Sequence, residues 1–211
     1  DADTVRSACQ AAGLACTASS ALPAGASLLD PTQRAAGVTF IERCARVAAA
    51  CGAALVCGPL YAPVGGYERR PRTSAEWESC IVGLRQAGDR AAALGVTLAI
   101  EPLNRFETNF LNTVADAVAL LDAVDHPAVG LHLDTFHMNI EEKDIVGSGH
   151  IAWEAVATAL HDVGYAGWVT AETFAGTIPE IAAATAIWRP LVSDAWTYAR
   201  ESLVFLRQLL K

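Results

Sequence analysis

Short apolar runs of four or five residues recur along the chain, each closed by a glycine, a proline or a charged residue. Between them lie longer stretches whose apolar positions return at helical spacing. The short runs Leu14–Ala18, Ala54–Cys57, Thr97–Ile100, Val129–Leu133 and Trp168–Ala171 are predicted as strands. Asp1–Ala12 reads as a helix ended by Gly13, a residue suited to the left-handed stop. Asp30-Pro31 predicts a helix start, cap residue then proline, with the helix running to about Cys51 and Gly52 ending it. Thr73 with Glu76 three residues on has the form of a capping box and opens a helix to about Leu94. Thr113 and Asp116 open another through Ala123, and helices are predicted over Ala152–Val163 and Ser193–Leu210. Gly58 to Arg72, rich in Gly, Pro and Tyr, is too long and irregular for a plain connector.

Strands alternating with helices predict an α/β protein with a parallel sheet and right-handed crossovers. Two architectures fit: an open doubly wound sheet, or a (β/α)8 barrel with pieces missing. No GxGxxG follows a strand and no Walker sequence occurs, so mononucleotide-type sheets lose ground. Residues 1–211 read as one domain.

Composition narrows the partners. Apolar residues make up 53% and the mean hydropathy is +0.29, with alanine supplying much of the excess. No stretch approaches the roughly 18 uninterrupted apolar residues of a membrane helix. The net charge of −8 argues against nucleic acid, and a small molecule is the expected partner. Six cysteines form no CxxC pair and no Cys/His zinc spacing. Free thiols without a leader sequence predict a reducing, cytoplasmic setting.

Three acids end apolar runs: Glu101, Asp134 and Glu172. At the C-terminal ends of parallel strands such acids either point into one cleft, where their mutual repulsion calls for a cation, or are unrelated acids that cap the following helices or pair with arginines. Carboxylates with one imidazole suit Mn²⁺, Mg²⁺ or Co²⁺. His137, three residues after Asp134, either contacts a ligand near such a metal or is a loop histidine bonded to backbone. His132 alternates with Leu131 and Leu133 and faces away from them, into a core or a barrel interior. Arg105 and Glu107 either reach a polyhydroxyl substrate or pair with each other. No GxSxG elbow or Cys/His pairing suggests covalent catalysis.

At EPLNRFE (101–107), LDTFHMNIEE (133–142) and AETF (171–174), the sequence resembles the ketose 3-epimerases, the D-tagatose and D-psicose 3-epimerase family of xylose-isomerase-like TIM barrels. GSGHIAW (147–153) is similar to that family's loop into its seventh helix. The resemblance implies a (β/α)8 barrel here incomplete, with about five strands recognisable and the first two and the seventh missing. It implies metal ligation by Glu101, Asp134 and Glu172, with Mn²⁺ foremost and Co²⁺ or Mg²⁺ as alternatives. It implies Glu101 and Glu172 as the catalytic acid/base pair, Glu107 and His137 as substrate contacts, and a homo-oligomer, dimer or tetramer. The reaction it implies is epimerisation of a free ketose at C3 through an enediolate. One glutamate removes the C3 proton and the other returns one to the opposite face.

The chain also departs from that pattern. The family carries a histidine ligand and then an arginine between the Asp motif and the GxGH loop. Only Lys143 to Val146 separate Glu142 from Gly147 here, and no residue matches either. An aldose–ketose isomerase of the same superfamily and an inactive sugar-binding relative therefore stand as alternatives. Phosphorylated substrates are disfavoured by the lack of a phosphate site, and aromatic loop residues from Tyr61 to Tyr67 are expected to set sugar preference.

Overall fold

A computed structural model describes residues 1–141, 151, 153–172 and 194–211. They fall into two compact units, Asp1–Ile145 and Val146–Lys211. The first holds helices α1 (Ala2–Ala11), α2 (Arg34–Ala50), α3 (Ser74–Ala92), α4 (Val114–Val124) and α5 (Thr135–Glu141). It also holds strands β1 (Ala18–Ser19), β2 (Leu55–Gly58), β3 (Thr97–Ile100) and β4 (Val129–Leu131). The second contains α6 (Trp153–Asp162) and α7 (Ala195–Leu209), with Trp153 edge-on to Phe205 at 5.6 Å between ring centres.

All four strands are parallel, and their order in the sheet is their order in the chain. A doubly wound sheet reverses direction at a switch point. Sequential order has no reversal, and right-handed crossovers then stack every helix on one face, as in a barrel wall. The ladder puts Val56, Leu98 and Val129 in one register row. Val56 and Leu98 are fully buried there in one core with Ile41 of α2, Leu84 of α3 and Leu120 of α4. Each such side chain contributes roughly 1.5–3 kcal/mol by burial. The alanine excess has its reason in the same layer. Ala45 and Ala48 of α2, Ala87 and Ala91 of α3, and Ala117 of α4 lie on the buried faces and let helix backbones approach the sheet closely.

Where the fold departs from the sequence reading, pairing and capping explain it. Leu14 is exposed, and of the first run only Ala18 finds a ladder partner, with Ser19 just beyond it. Trp168–Ala171 is not a strand: the stretch is exposed and has no ladder among the described residues. An apolar run makes a strand only where a neighbour accepts its backbone hydrogen bonds. The structure therefore has four strands, not five, among the described residues. Asp30 caps a turn instead of a helix: its side chain accepts from the Thr32 amide at 2.8 Å, and α2 begins four residues later at Arg34. Thr135–Glu141, to which the sequence reading assigned no element, form helix α5.

The predicted capping box is present. Thr73 Oγ1 accepts from the Glu76 amide at 3.2 Å while Glu76 accepts from the Thr73 amide at 2.6 Å. Arg70 also grips Glu76, at 2.7 and 3.0 Å, and this guanidinium holds the carboxyl at about 2 instead of an ordinary 4.5. A depressed folded-state value means stability that is present above pH 4.5 and lost as pH falls towards 2. Glu76→Gln keeps a capping side chain and removes the charge. It is expected to cost about 1 kcal/mol at neutral pH, allowing for solvent screening. Urea unfolding followed across pH 2–7 is expected to show a shallower acid decline in the variant than in the wild type, by roughly that amount.

Candidate active site

The ladder continues past the ends of β3 and β4 by one bond on each side. The Glu101 amide donates to the Gly58 carbonyl at 3.1 Å, and the His132 amide donates to the Ile100 carbonyl at 2.9 Å. Strand alternation then turns Glu101 to the same face as Ala99, and His132 to the same face as Gly130, opposite the helix layer. Gly58 is needed at this end of β2. Its φ is +128°, and a Cβ there would lie 2.2 Å from the Ser20 carbonyl oxygen.

Asp134 precedes α5, and its side chain accepts from the Phe136 amide at 2.8 Å. One turn of helix carries His137 back over Asp134, since residues three apart share a face. Glu101, Asp134 and His137 thereby present ligand atoms within 4.8 Å of one another. His137 Nε2 lies 3.5 Å from Asp134 Oδ2 and 3.7 Å from Glu101 Oε1, and His132 Nδ1 approaches Glu101 Oε2 at 3.5 Å. Glu101 and His137 are each only 7% exposed. The sequence placed His137 either near a bound metal or in a loop; it stands beside both acids, on a helix.

The segment after β3 is held from several directions. Asn112 Nδ2 donates to the carbonyls of Leu103 (2.8 Å) and Thr108 (3.0 Å). Tyr67 reaches across to the carbonyls of Arg105 and Phe106, both at 3.1 Å. Arg105 does not pair with Glu107. It forms a two-pronged bridge to Glu141 at the end of α5, at 2.9 and 3.0 Å, and its amide donates to the same carboxylate at 2.7 Å. The Glu101 segment and the helix bearing His137 are thus tied together. Glu107 is held instead by Asn104, whose Nδ2 donates to Glu107 Oε1 at 2.8 Å. Tyr61 does not offer a face to a ligand, being buried in the core with its ring 5.4 Å from Phe110. Burial, and then the nearby Glu101 carboxylate, push its hydroxyl well above the ordinary value, so it stays neutral.

His137 Nδ1 faces the Asn104 backbone amide at 3.2 Å and the Asn104 Nδ2 group at 2.9 Å. A backbone N–H can only donate, so Nδ1 accepts and the neutral ring carries its hydrogen on Nε2. A metal-ligating histidine normally has the reverse arrangement, donating from its distal nitrogen. The hard donors here are therefore the carboxylates of Glu101 and Asp134. Oxygen ligands of one small divalent cation sit about 3–4 Å apart, which the 4.8 Å limit accommodates. His137 Nε2–H is suited to an oxygen of a bound molecule.

Glu172 ends an exposed stretch of the second unit. The similarity at GSGHIAW falls largely outside the described residues, as do Thr173 and Phe174 of AETF. Sequence reasoning missed Asn104 and Glu141 as parts of the assembly. The signal for Asn104 was its spacing of three before Glu107, which suits a turn; nothing local pointed from Glu141 to Arg105.

Residues 1–146 match the model of the xylose isomerase-like TIM barrel family. A ketose 3-epimerase of Arthrobacter globiformis is 32% identical, with all of this chain and 82% of that protein covered. The chain belongs to the ketose 3-epimerase family of xylose isomerase-like TIM barrels. Members of this family are sugar isomerases and epimerases. The solved structure of an L-ribulose 3-epimerase superposes with a TM-score of 0.91 at 30% identity, over 100% of this chain and 80% of that one. A D-allulose 3-epimerase from Methylomonas sp., solved in complex with D-allulose, gives 0.90 at 28% identity over 99% and 81%. The match to the Arthrobacter protein runs over 237 positions, 26 more than the 211 residues of this chain. Those 26 positions of the Arthrobacter protein stand opposite gaps in this chain. Among the described residues, no helix is long and apolar enough to cross a membrane.

Asn112→Ala strips two backbone carbonyls of their donor. We expect a loss of about 1–2 kcal/mol in urea unfolding. Faster hydrogen exchange should appear at the amides of Leu103 to Phe110, with the amides of α2 unchanged.

Proposed function

We propose that this chain inverts a free ketose at C3, using Glu101 and Glu172 as the proton carriers and a divalent cation as cofactor, Mn²⁺ foremost. The observation that carries this reading is the convergence of Glu101, Asp134 and His137 at the ends of two neighbouring strands in a member of the ketose 3-epimerase family.

Glu101 and Asp134 would hold the cation, and Glu172 joins them on the match of its AETF motif alone. When bound, such an ion polarises the C2 carbonyl of a ketose and makes the C3 proton more acidic. Glu101 moves a proton at C3. Inversion needs a second carrier for the other face of that carbon, and Glu172 is assigned that part. Glu107 accepts from a sugar hydroxyl, with its free orientations cut down by Asn104. His137 Nε2–H donates to a substrate oxygen, holding it beside Glu101. The names of the relatives, which are ketose epimerases, and the D-allulose complex support an unphosphorylated ketose as substrate. A homo-oligomeric, cytoplasmic enzyme belongs to the same reading.

The test is incubation of the chain and Mn²⁺ with D-fructose or D-tagatose, with the products separated by chromatography. The expected product is the C3 epimer. An aldose as sole product would establish an aldose–ketose isomerase instead, and retained sugar binding without conversion would establish a non-catalytic relative. Glu172→Gln is expected to lower turnover by about 10²–10⁴-fold with the far-ultraviolet circular dichroism unchanged. Asp134→Asn is expected to weaken Mn²⁺ binding, read from the electron paramagnetic resonance of the free ion.

A further inference from the structure

Asn104 is 2% exposed, and every polar position of its side chain is engaged. Oδ1 accepts from the Phe106 amide at 2.9 Å, and since an amide can only donate, this bond fixes which way the Asn104 carboxamide faces. Nδ2 is then left with two hydrogens. One points to Glu107 Oε1 at 2.8 Å and the other to His137 Nδ1 at 2.9 Å. The backbone N–H of the same residue reaches His137 Nδ1 at 3.2 Å. Both hydrogens of one buried carboxamide are therefore spent on the two side chains assigned to substrate contact, and each is left with its far end unspent by Asn104.

We infer that Asn104 is a positioning residue that sets Glu107 and His137 together and keeps the hydrogen of the His137 ring on Nε2. The inference rests on the role given above to Glu107 and His137. A purely structural asparagine would satisfy backbone groups of its own turn, and Oδ1 does that. The Nδ2 group does something else, reaching 33 residues along the chain to a ring nitrogen on α5. No residue of similar size substitutes. Aspartate has the same shape and no hydrogens, so it sets an acceptor against Glu107 Oε1 and against His137 Nδ1. Glutamine is longer by one methylene and displaces both partners.

The experiment uses the full chain labelled with ¹⁵N-histidine, without added metal, and reads the two ring nitrogens by long-range proton–nitrogen correlation. His137→Asn assigns its signals among the five histidines. The expected result is His137 Nδ1 without a hydrogen and Nε2 with one; Asn104→Asp, whose backbone N–H still donates to Nδ1 while its carboxylate opposes that nitrogen's lone pair, shifts the Nδ1 signal towards a mixture of ring forms and leaves the other four rings unchanged. A wild-type ring protonated on Nδ1, or an Asn104→Asp spectrum identical to wild type, overturns the inference. Asn104→Ala serves if the aspartate variant does not fold. It is expected to lower kcat/KM for the ketose by about 10–100-fold. Combined with Glu107→Gln it should cost less than the product of the two single losses. A kcat/KM within twofold of wild type in Asn104→Ala also overturns the inference. A wild-type chain that converts no ketose removes the proposed reaction, while the ring spectrum still decides Asn104.

Discussion

Strand β3 is hydrogen-bonded on both sides, to β2 and to β4, and its register decides where the chemistry stands. Leu98 and Ile100 are locked into the helix-side core at full burial, so the alternate residues must face the other way. Glu101 follows as the next residue on that other face, with its amide still in the ladder at Gly58. A slip of one residue would put Glu101 among the leucines of the helix layer, where an unpaired carboxylate is far too costly to bury. The hydrophobic pattern of a four-residue strand thus aims the acid that matters most.

What stands around Glu101 is a second layer of restraint built from polar side chains. Asp134 caps the short helix α5, and the same carboxylate stands beside Glu101 and His137. The Arg105–Glu141 bridge ties the far end of α5 to the loop after β3. The Arg105 end is open to solvent, which screens the pair, while the Glu141 side chain is only 6% exposed. The consequence of the bridge is geometric: it holds the helix bearing His137 against the loop bearing Asn104. Asn104 then converts that proximity into an orientation, because its donors leave His137 one tautomer.

The tautomer separates two readings of the same cluster. By distance alone, Glu101, Asp134 and His137 make a three-ligand centre. By hydrogen-bond chemistry, the ring nitrogen facing the acids carries a hydrogen and serves as a donor, leaving two hard oxygens for a cation. A donor beside two carboxylates suits recognition of a carbonyl or hydroxyl oxygen, which agrees with a family that acts on ketoses.

Much of this was legible in the chain itself. The alternation of short apolar runs with helical stretches gave a parallel α/β protein, and the capping signals at Thr73 and Thr113 were read correctly because they act within one turn. The EPLNRFE, LDTFHMN and AETF motifs gave the family, and the positions of Glu101 and Asp134 after apolar runs singled out two acids that the fold brings beside His137. Tertiary structure decided the rest. Whether Trp168–Ala171 became a strand depended on a pairing partner, which no local pattern encodes. Sequential strand order, which separates a barrel wall from a doubly wound sheet, is a property of the whole sheet. Arg105 chose Glu141, 36 residues away, over Glu107 two residues on, and His137, left open between a ligand contact and a loop position, stands on a helix with its ring held by Asn104. Local bonds can be read from spacing; bonds between elements exist only once hydrophobic burial has brought those elements side by side.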